Sequence, residues 1–181
     1  MPKISTYTPV TPTDSDLILI TDASDSNNTK NVTVSSLKEA LFAYIEIHDA
    51  TAGEDTTATT TPAKLTVTTT QGAISANSGL QQNGQGRVTN GGLSRTFMIT
   101  YSVSISAQNN NAVEFSLAKS GTVIPHSQTD SITGSGDKGV SVSNTIITTL
   151  NTGEYVEVYI SVSVGSLLCE LQHLNLVLKQ V

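Results

Sequence analysis

Glu154-Tyr-Val-Glu-Val-Tyr-Ile-Ser-Val-Ser-Val164 is the stretch that decides the fold. Val156, Val158, Ile160, Val162 and Val164 fall on one side of it, and Tyr155, Glu157, Tyr159, Ser161 and Ser163 on the other, the period of two that a pleated strand imposes. One face is core and the other is half wet. Asn151-Thr-Gly-Glu154 ahead of it is a turn, since Gly153 can take positive φ without steric cost. After Gly165, Leu167 to Val181 forms a second apolar strand whose buried face changes, from Cys169 and Leu171 to Leu174, Leu176 and Leu178, with Val177 opposite. That switch means either a strand covered on both sides or a bulge near His173.

Moving upstream, Thr96 to Ala107 alternates in the same way, with Phe97, Ile99, Tyr101, Val103, Ile105 and Ala107 on one face. Val113, Phe115 and Leu117 repeat the pattern after Gln108-Asn-Asn-Asn111, and Thr122 to His126 follows the turn Lys119-Ser-Gly121. Val140, Val142, Ile146, Ile147 and Leu150 lead back to the starting strand. Lys64 to Thr70 reads as a further short strand, Gly72 to Gly92 as a Gly/Asn-rich stretch, and Gly79 to Gly92 within it as a turn-rich loop. Ser and Thr make up about a quarter of the 181 residues and Trp is absent, a bias to strands and turns. The expected class is mostly β, a C-terminal jelly-roll β-sandwich.

The first third differs. Met1 to Thr13, with Pro2, Pro9 and Pro12, is an extended arm. Asp16 to Asp22, with Leu17, Ile18, Leu19 and Ile20, and Asn31 to Val34 are two short strands at hairpin distance. Ser36-Leu-Lys-Glu39 has capping-box spacing, and Leu37, Ala40, Leu41, Tyr44, Ile45 and His48 recur at helical steps, so a helix is expected over 37–47. Such a β-β-α segment buries too little to stand alone and must dock on a partner. Asp49 to Thr61 has no large apolar residue and reads as a Thr-rich linker. The expected division is therefore 1–48 docking segment, 49–61 linker and 62–181 body.

Charge follows this division. Before Pro62 there are nine acidic and three basic residues, which accounts for the whole formal charge of −6; the body has six of each. Faces so poor in charge favour burial against copies of the same chain. Net acidity, with no basic patch among aromatics, leaves nucleic acid without an electrostatic basis. The apolar run Leu17–Ile20 is too short for a signal peptide or a membrane span, so no membrane insertion is expected. Asn27-Asn-Thr29 and Asn31-Val-Thr33 match the glycosylation pattern but are expected to stay unmodified.

Chemistry-bearing motifs are sparse. His48, His126 and His173 lack metal-ligand spacing, Gly79 to Gly92 lacks the strand-loop-helix setting of a phosphate cradle, and there is no Gly-x-Ser-x-Gly elbow. Cys169, the single cysteine, lies in an apolar run as a buried thiol. No catalytic residue, metal or other cofactor is expected.

From Thr96 to Val181 the order of elements resembles the trimeric jelly roll of C1q and tumour-necrosis-factor-like domains, as found at the ends of bacteriophage appendage proteins. The carriers are Phe97-Met-Ile-Thr-Tyr-Ser-Val, Val113-Glu-Phe-Ser-Leu-Ala-Lys, Leu150-Asn-Thr-Gly-Glu-Tyr-Val-Glu-Val-Tyr and Leu174-Asn-Leu-Val-Leu. Asp14 to Asp22 and Asn28 to Val34, before a short helix, resemble the N-terminal docking segments of phage virion appendages. The resemblance implies a homotrimer with an N-terminal attachment element and a C-terminal knob. It would be a head fibre or capsid appendage, made in the host cytoplasm and held on the virion surface by other virion proteins. A receptor- or glycan-binding tip of the tail apparatus, with a host-surface glycan as partner, is the alternative.

Two residue sets follow. Docking falls to Leu17, Ile18, Leu19, Ile20, Leu37, Leu41, Tyr44 and Ile45. The trimer interface falls to Tyr101, Tyr155, Tyr159, Leu174 and Leu176; aromatics bury much area with few rotors. For Tyr155 and Tyr159, sugar-binding rings and plain sheet residues stay open beside the interface.

Overall fold

The computed structural model describes residues 11–13, 15–22, 28–34, 37, 41–75, 78–107, 111–134 and 138–181. The chain divides into two compact units, Met1–Leu41 and Phe42–Val181.

In the first unit, β1 (Leu17–Asp22) and β2 (Asn28–Thr33) pair antiparallel, from Leu17 opposite Thr33 to Asp22 opposite Asn28. Val34 adds a bond from its N–H to the Asp16 carbonyl, 2.9 Å. The second strand thus begins earlier than the apolar pattern suggested. Met1 to Val10 of the arm lie outside the described residues, as do Ser36 of the capping box and 38–40 of the expected helix; Leu37 and Leu41 are helical.

The second unit begins with a strand where the rest of that helix was expected. β3 (Tyr44–Asp49) runs antiparallel to the closing strand β15 (Ser166–Gln180), with Ile45 opposite Leu178 and Ile47 opposite Leu176. The run Tyr-Ile-Glu-Ile-His satisfies both a helical and a two-residue period. The open edge of β15, offering two apolar partners, decides for strand.

The expected linker is also sheet. β4 (Glu54–Thr59) continues along the same edge of β15, from Glu54 opposite Leu171 to Thr59 opposite Ser166. Thr56 and Ala58 are buried, and the Thr56 hydroxyl donates to the Thr66 carbonyl and accepts from the Thr66 N–H, both at 3.1 Å. Small side chains suffice here because the layer beneath is close, so no large apolar residue marks the strand. The unit boundary falls at 41/42, ahead of the expected 48/49.

Between β3 and β4 the chain breaks step opposite a β-bulge in β15 between Leu171 and His173. Asp49 Oδ1 accepts the Leu174 N–H at 2.8 Å and lies 3.1 Å from His173 Nδ1, while the Gly53 N–H donates to the Leu171 carbonyl at 2.7 Å. The bulge explains the face switch in the closing strand: on either side of it Cys169, Leu171, Leu174, Leu176 and Leu178 are all buried.

The remaining strands are β5 (Ala63–Lys64), β6 (Thr69–Ile74), β7 (Leu80–Gln82), β8 (Arg87–Asn90), β9 (Arg95–Ala107), β10 (Ala112–Lys119), β11 (Thr122–Val123), β12 (Thr129–Ile132), β13 (Lys138–Leu150) and β14 (Tyr155–Val162). The expected loop 79–92 therefore contains paired strands, β7 and β8. One sheet has the order β13-β9-β15-β3-β6, with β4 also on β15. The other has β11-β10-β14-β8-β7, with β12 on β10 and β5 on β14. Both are antiparallel.

The core is the space between them. From the first sheet come Phe97, Ile99, Tyr101, Val103 and Ile105 of β9; from the second, Val113, Phe115 and Leu117 of β10 with Val156, Val158, Ile160 and Val162 of β14. Each large apolar side chain removed from water contributes about 1.5–3 kcal/mol. At the start of β14, Gly153 has φ 84° and the Glu154 N–H donates to the Asn151 carbonyl at 3.0 Å, closing the turn expected there.

Candidate functional site

The residues assigned to docking separate between the two units. In β1, Leu17 and Leu19 are 62% and 72% exposed, and Ile18 and Ile20 are exposed on the opposite side. A two-stranded ribbon has no second layer, so both faces of an apolar strand remain open. Leu41 is exposed and Leu37 half-buried. Tyr44 and Ile45 do not belong with them. Ile45 is fully buried in the body's core, and Tyr44 sits in β3, its N–H bonded to the Ser75 hydroxyl at 2.8 Å.

The residues assigned to an interface separate as well. Tyr101, Leu174 and Leu176 are buried within the single chain, on the faces of β9 and β15 turned toward the second sheet. They cannot contact a neighbour without opening the sandwich. The Tyr101 hydroxyl is spent internally, donating to the Ser127 carbonyl at 3.0 Å and lying 3.2 Å from the Phe115 carbonyl. Burial raises its pKa above the ordinary 10.0.

Tyr155 and Tyr159 do point away from the core, and a cluster the sequence reading missed lies between them. Glu157 is 2% exposed, and its Oε1 is 2.9 Å from Arg87 Nε and 3.0 Å from Lys64 Nζ. The Arg87 guanidinium lies 3.8 Å from the centre of the Tyr155 ring, a cation–π contact. A Cβ added at Gly121, which has φ 83°, would come to 3.9 Å from both tyrosine hydroxyls. Burial, followed by the Glu157 charge, raises the Tyr159 pKa. A glutamate among valines on a strand of a charge-poor body was the available signal. Its cations come from β5 and β8, distant in sequence, and register alone brings them over.

The outward face of the other sheet is paved with hydroxyls. Across β9 and β13, Thr96 meets Thr149 at 3.0 Å, Thr100 meets Thr145 at 2.9 Å and Ser104 meets Ser141 at 2.7 Å. Met98 lies opposite Ile147, which is 66% exposed. Farther along the face, Asn175 Nδ2 donates to Glu46 Oε1 at 2.7 Å. The face is neutral where β9 and β13 form it, and its side chains are short.

Among the described residues, no three histidine, cysteine, aspartate or glutamate side chains come together. His173 is the histidine with a carboxylate neighbour, Asp49. Cys169 is buried, and burial pushes its thiol pKa up to about 11. Among the described residues, no helix is long and apolar enough to cross a membrane.

No protein-family model and no curated protein matches the chain. Solved structures do. The Eiger TNF of S. frugiperda superposes with a TM-score of 0.55 at 14% identity, covering 75% of this chain and 91% of that one. Murine APRIL at pH 5.0 gives 0.50 at 12% identity, covering 72% and 98%. The globular domain of zebrafish complement 1qA protein gives 0.49 at 10% identity, covering 77% and 96%; the fold reading rests on the first two. With its two antiparallel sheets in this order, the chain has the TNF-like jelly-roll fold.

Proposed function

We propose that this chain is a non-enzymatic structural protein of a phage particle. It is a homotrimeric head fibre or capsid appendage, held by its N-terminal unit and presenting the jelly roll as a knob. The observation that carries the proposal is the contrast in burial between the units. The body encloses a complete apolar core, while Leu17, Ile18, Leu19 and Ile20 of the ribbon are left exposed, and contiguous apolar surface of that kind marks an interaction site. The resemblance of 14–34 to virion docking segments supplies the particle as the partner.

The hydroxyl-paved face supports the trimer. Its Thr–Thr and Ser–Ser pairs satisfy one another, and Met98 and Ile147 add apolar area, so it can be covered by a copy without stranding a charge. This face replaces Tyr101, Leu174 and Leu176 as the place where subunits meet. A second reading, a glycan-binding tip, has the Arg87–Tyr155–Tyr159 cluster in its favour, since rings and cations together suit an acidic sugar.

The test is complementation of particles with a chain lacking 1–41, alongside thermal melting of that fragment. The proposal expects a folded trimer that is absent from particles. Truncated protein that still decorates particles would place docking in the body. Binding of the fragment to host polysaccharide, lost in Tyr155→Ala, would favour the glycan reading.

A further inference from the structure

The sequence contains two Asn-Gly steps, Asn83-Gly84 and Asn90-Gly91, and the fold treats them oppositely. The ordinary role of such a step is a hairpin turn, which it favours. It also carries chemistry, because the glycine's peptide nitrogen, with no Cβ beside it, can attack the asparagine side-chain carbonyl. How each carboxamide is hydrogen-bonded decides whether that attack is open.

At the second step it is closed. Asn90 is buried; its Nδ2 donates to the Leu93 and Leu150 carbonyls at 2.8 and 2.9 Å, and its Oδ1 accepts the Gly92 N–H at 3.2 Å. The Gly91 N–H donates to the Gly79 carbonyl at 2.8 Å, so attacking and leaving nitrogens are both held by fixed backbone. Asn83, in the turn from β7 to β8, is exposed. Its Oδ1 accepts two backbone N–H groups, from Gln85 at 2.9 Å and Arg87 at 3.1 Å. A side chain bonded to the N–H two residues on is folded back over the peptide nitrogen between them, here that of Gly84. Gly84 has φ 75°, and nothing lies within 4 Å of where its Cβ would be, so water reaches it. Its N–H donates to Oε1 of Gln82, a side chain that can turn away.

Attack on the Asn83 carboxamide carbon places negative charge on Oδ1, the atom that two backbone donors already face at the distance that stabilises an oxyanion. We propose that Asn83-Gly84 is a self-modification site, at which the folded turn converts Asn83 to aspartate and isoaspartate with water as the only co-reactant. The Gly84 nitrogen bonds to Asn83 Cγ and gives its proton to hydroxide, while Nδ2 takes a proton from water and leaves as ammonia, closing a succinimide. Water then opens the ring. Cleavage at the former side-chain carbonyl gives aspartate, and cleavage at the main-chain carbonyl gives isoaspartate. Either product adds one negative charge. Isoaspartate also routes the main chain through the former side chain, adding a methylene to the turn that delivers Arg87 to Glu157 and to the Tyr155 ring. The change therefore falls on the cluster of cations and rings.

The experiment is incubation of the full chain in mildly alkaline buffer, native and unfolded in urea, followed by peptide mapping with mass spectrometry and by isoelectric focusing. The unfolded chain gives the intrinsic rate of each step. Native Asn83 should convert no more slowly than in urea, whereas native Asn90 should be slower than in urea by at least about tenfold, because its hydrogen bonds must break first. Asn83→Gln, whose longer side chain closes a ring less readily, should remove the acidic species that accumulates in the native protein; if that variant does not fold, the wild-type peptide map decides alone. The assignment is overturned by a native Asn83 that keeps its amide while the unfolded chain loses it, by equal slowing of Asn83 and Asn90 in the native chain, or by an acidic species undiminished in Asn83→Gln.

Discussion

Strands β9 and β1 are comparable in apolar content and opposite in fate. In β9 the large residues alternate with Thr, Met and Ser, and Phe97, Ile99, Tyr101, Val103 and Ile105 are all fully buried. In β1, Leu17, Ile18, Leu19 and Ile20 are consecutive, project to both sides, and are all exposed. Alternation makes a strand one-sided, and a one-sided strand needs only a single covering layer, which the chain itself provides. A two-sided apolar strand needs two layers, and the described residues of the N-terminal unit supply none.

That contrast breaks most readily in the core. Ile99→Ala, beneath the second sheet, should cost about 2–5 kcal/mol in urea or thermal unfolding of the body. A cost under about 1 kcal/mol would mean that the layers are not packed against each other there. A smaller effect sharpens the same point through the neighbouring strand, where Cys169 lies opposite Ala107 of β9. Its thiol is pushed by burial from an ordinary 9.0 up to about 11. The unfolded chain therefore gives up the thiol proton first. Below pH 9 the group adds no pH dependence; between 9 and 11 unfolding releases a proton, and stability falls as pH rises. Cys169→Ala should flatten that alkaline loss, read as the difference in melting temperature between about pH 8.5 and pH 10.5. An identical slope would mean that water reaches the sulfur. The smallest expected effect is on the other side of the comparison. Leu19→Ser should change the body's melting free energy by no more than about 0.5 kcal/mol, while reducing incorporation into particles. A larger destabilisation would show that β1 is covered by the body after all.

Much of the body could be read in advance where the side chains are large. The faces of β9 and β14, the turn around Gly153 and the change of face in β15 all follow from alternation, and the bulge between Leu171 and His173 is its physical form. Reading failed where side chains are small or the pattern is degenerate. Thr56 and Ala58 carry too little apolar area to announce a strand, and Tyr44 to His48 fits two periods at once.

The sequence by itself therefore determined which residues share a face, because a pleated backbone imposes that locally. Only the tertiary structure decided which face meets the other sheet and which edge is already taken. It turned Tyr101, Leu174 and Leu176 inward and placed 44–59 along β15. It gathered Lys64, Arg87 and Glu157 at one end of a sheet face. Such groupings depend on register between strands far apart in the chain. Register is set by the packing of the whole sandwich, so no local spacing can encode it.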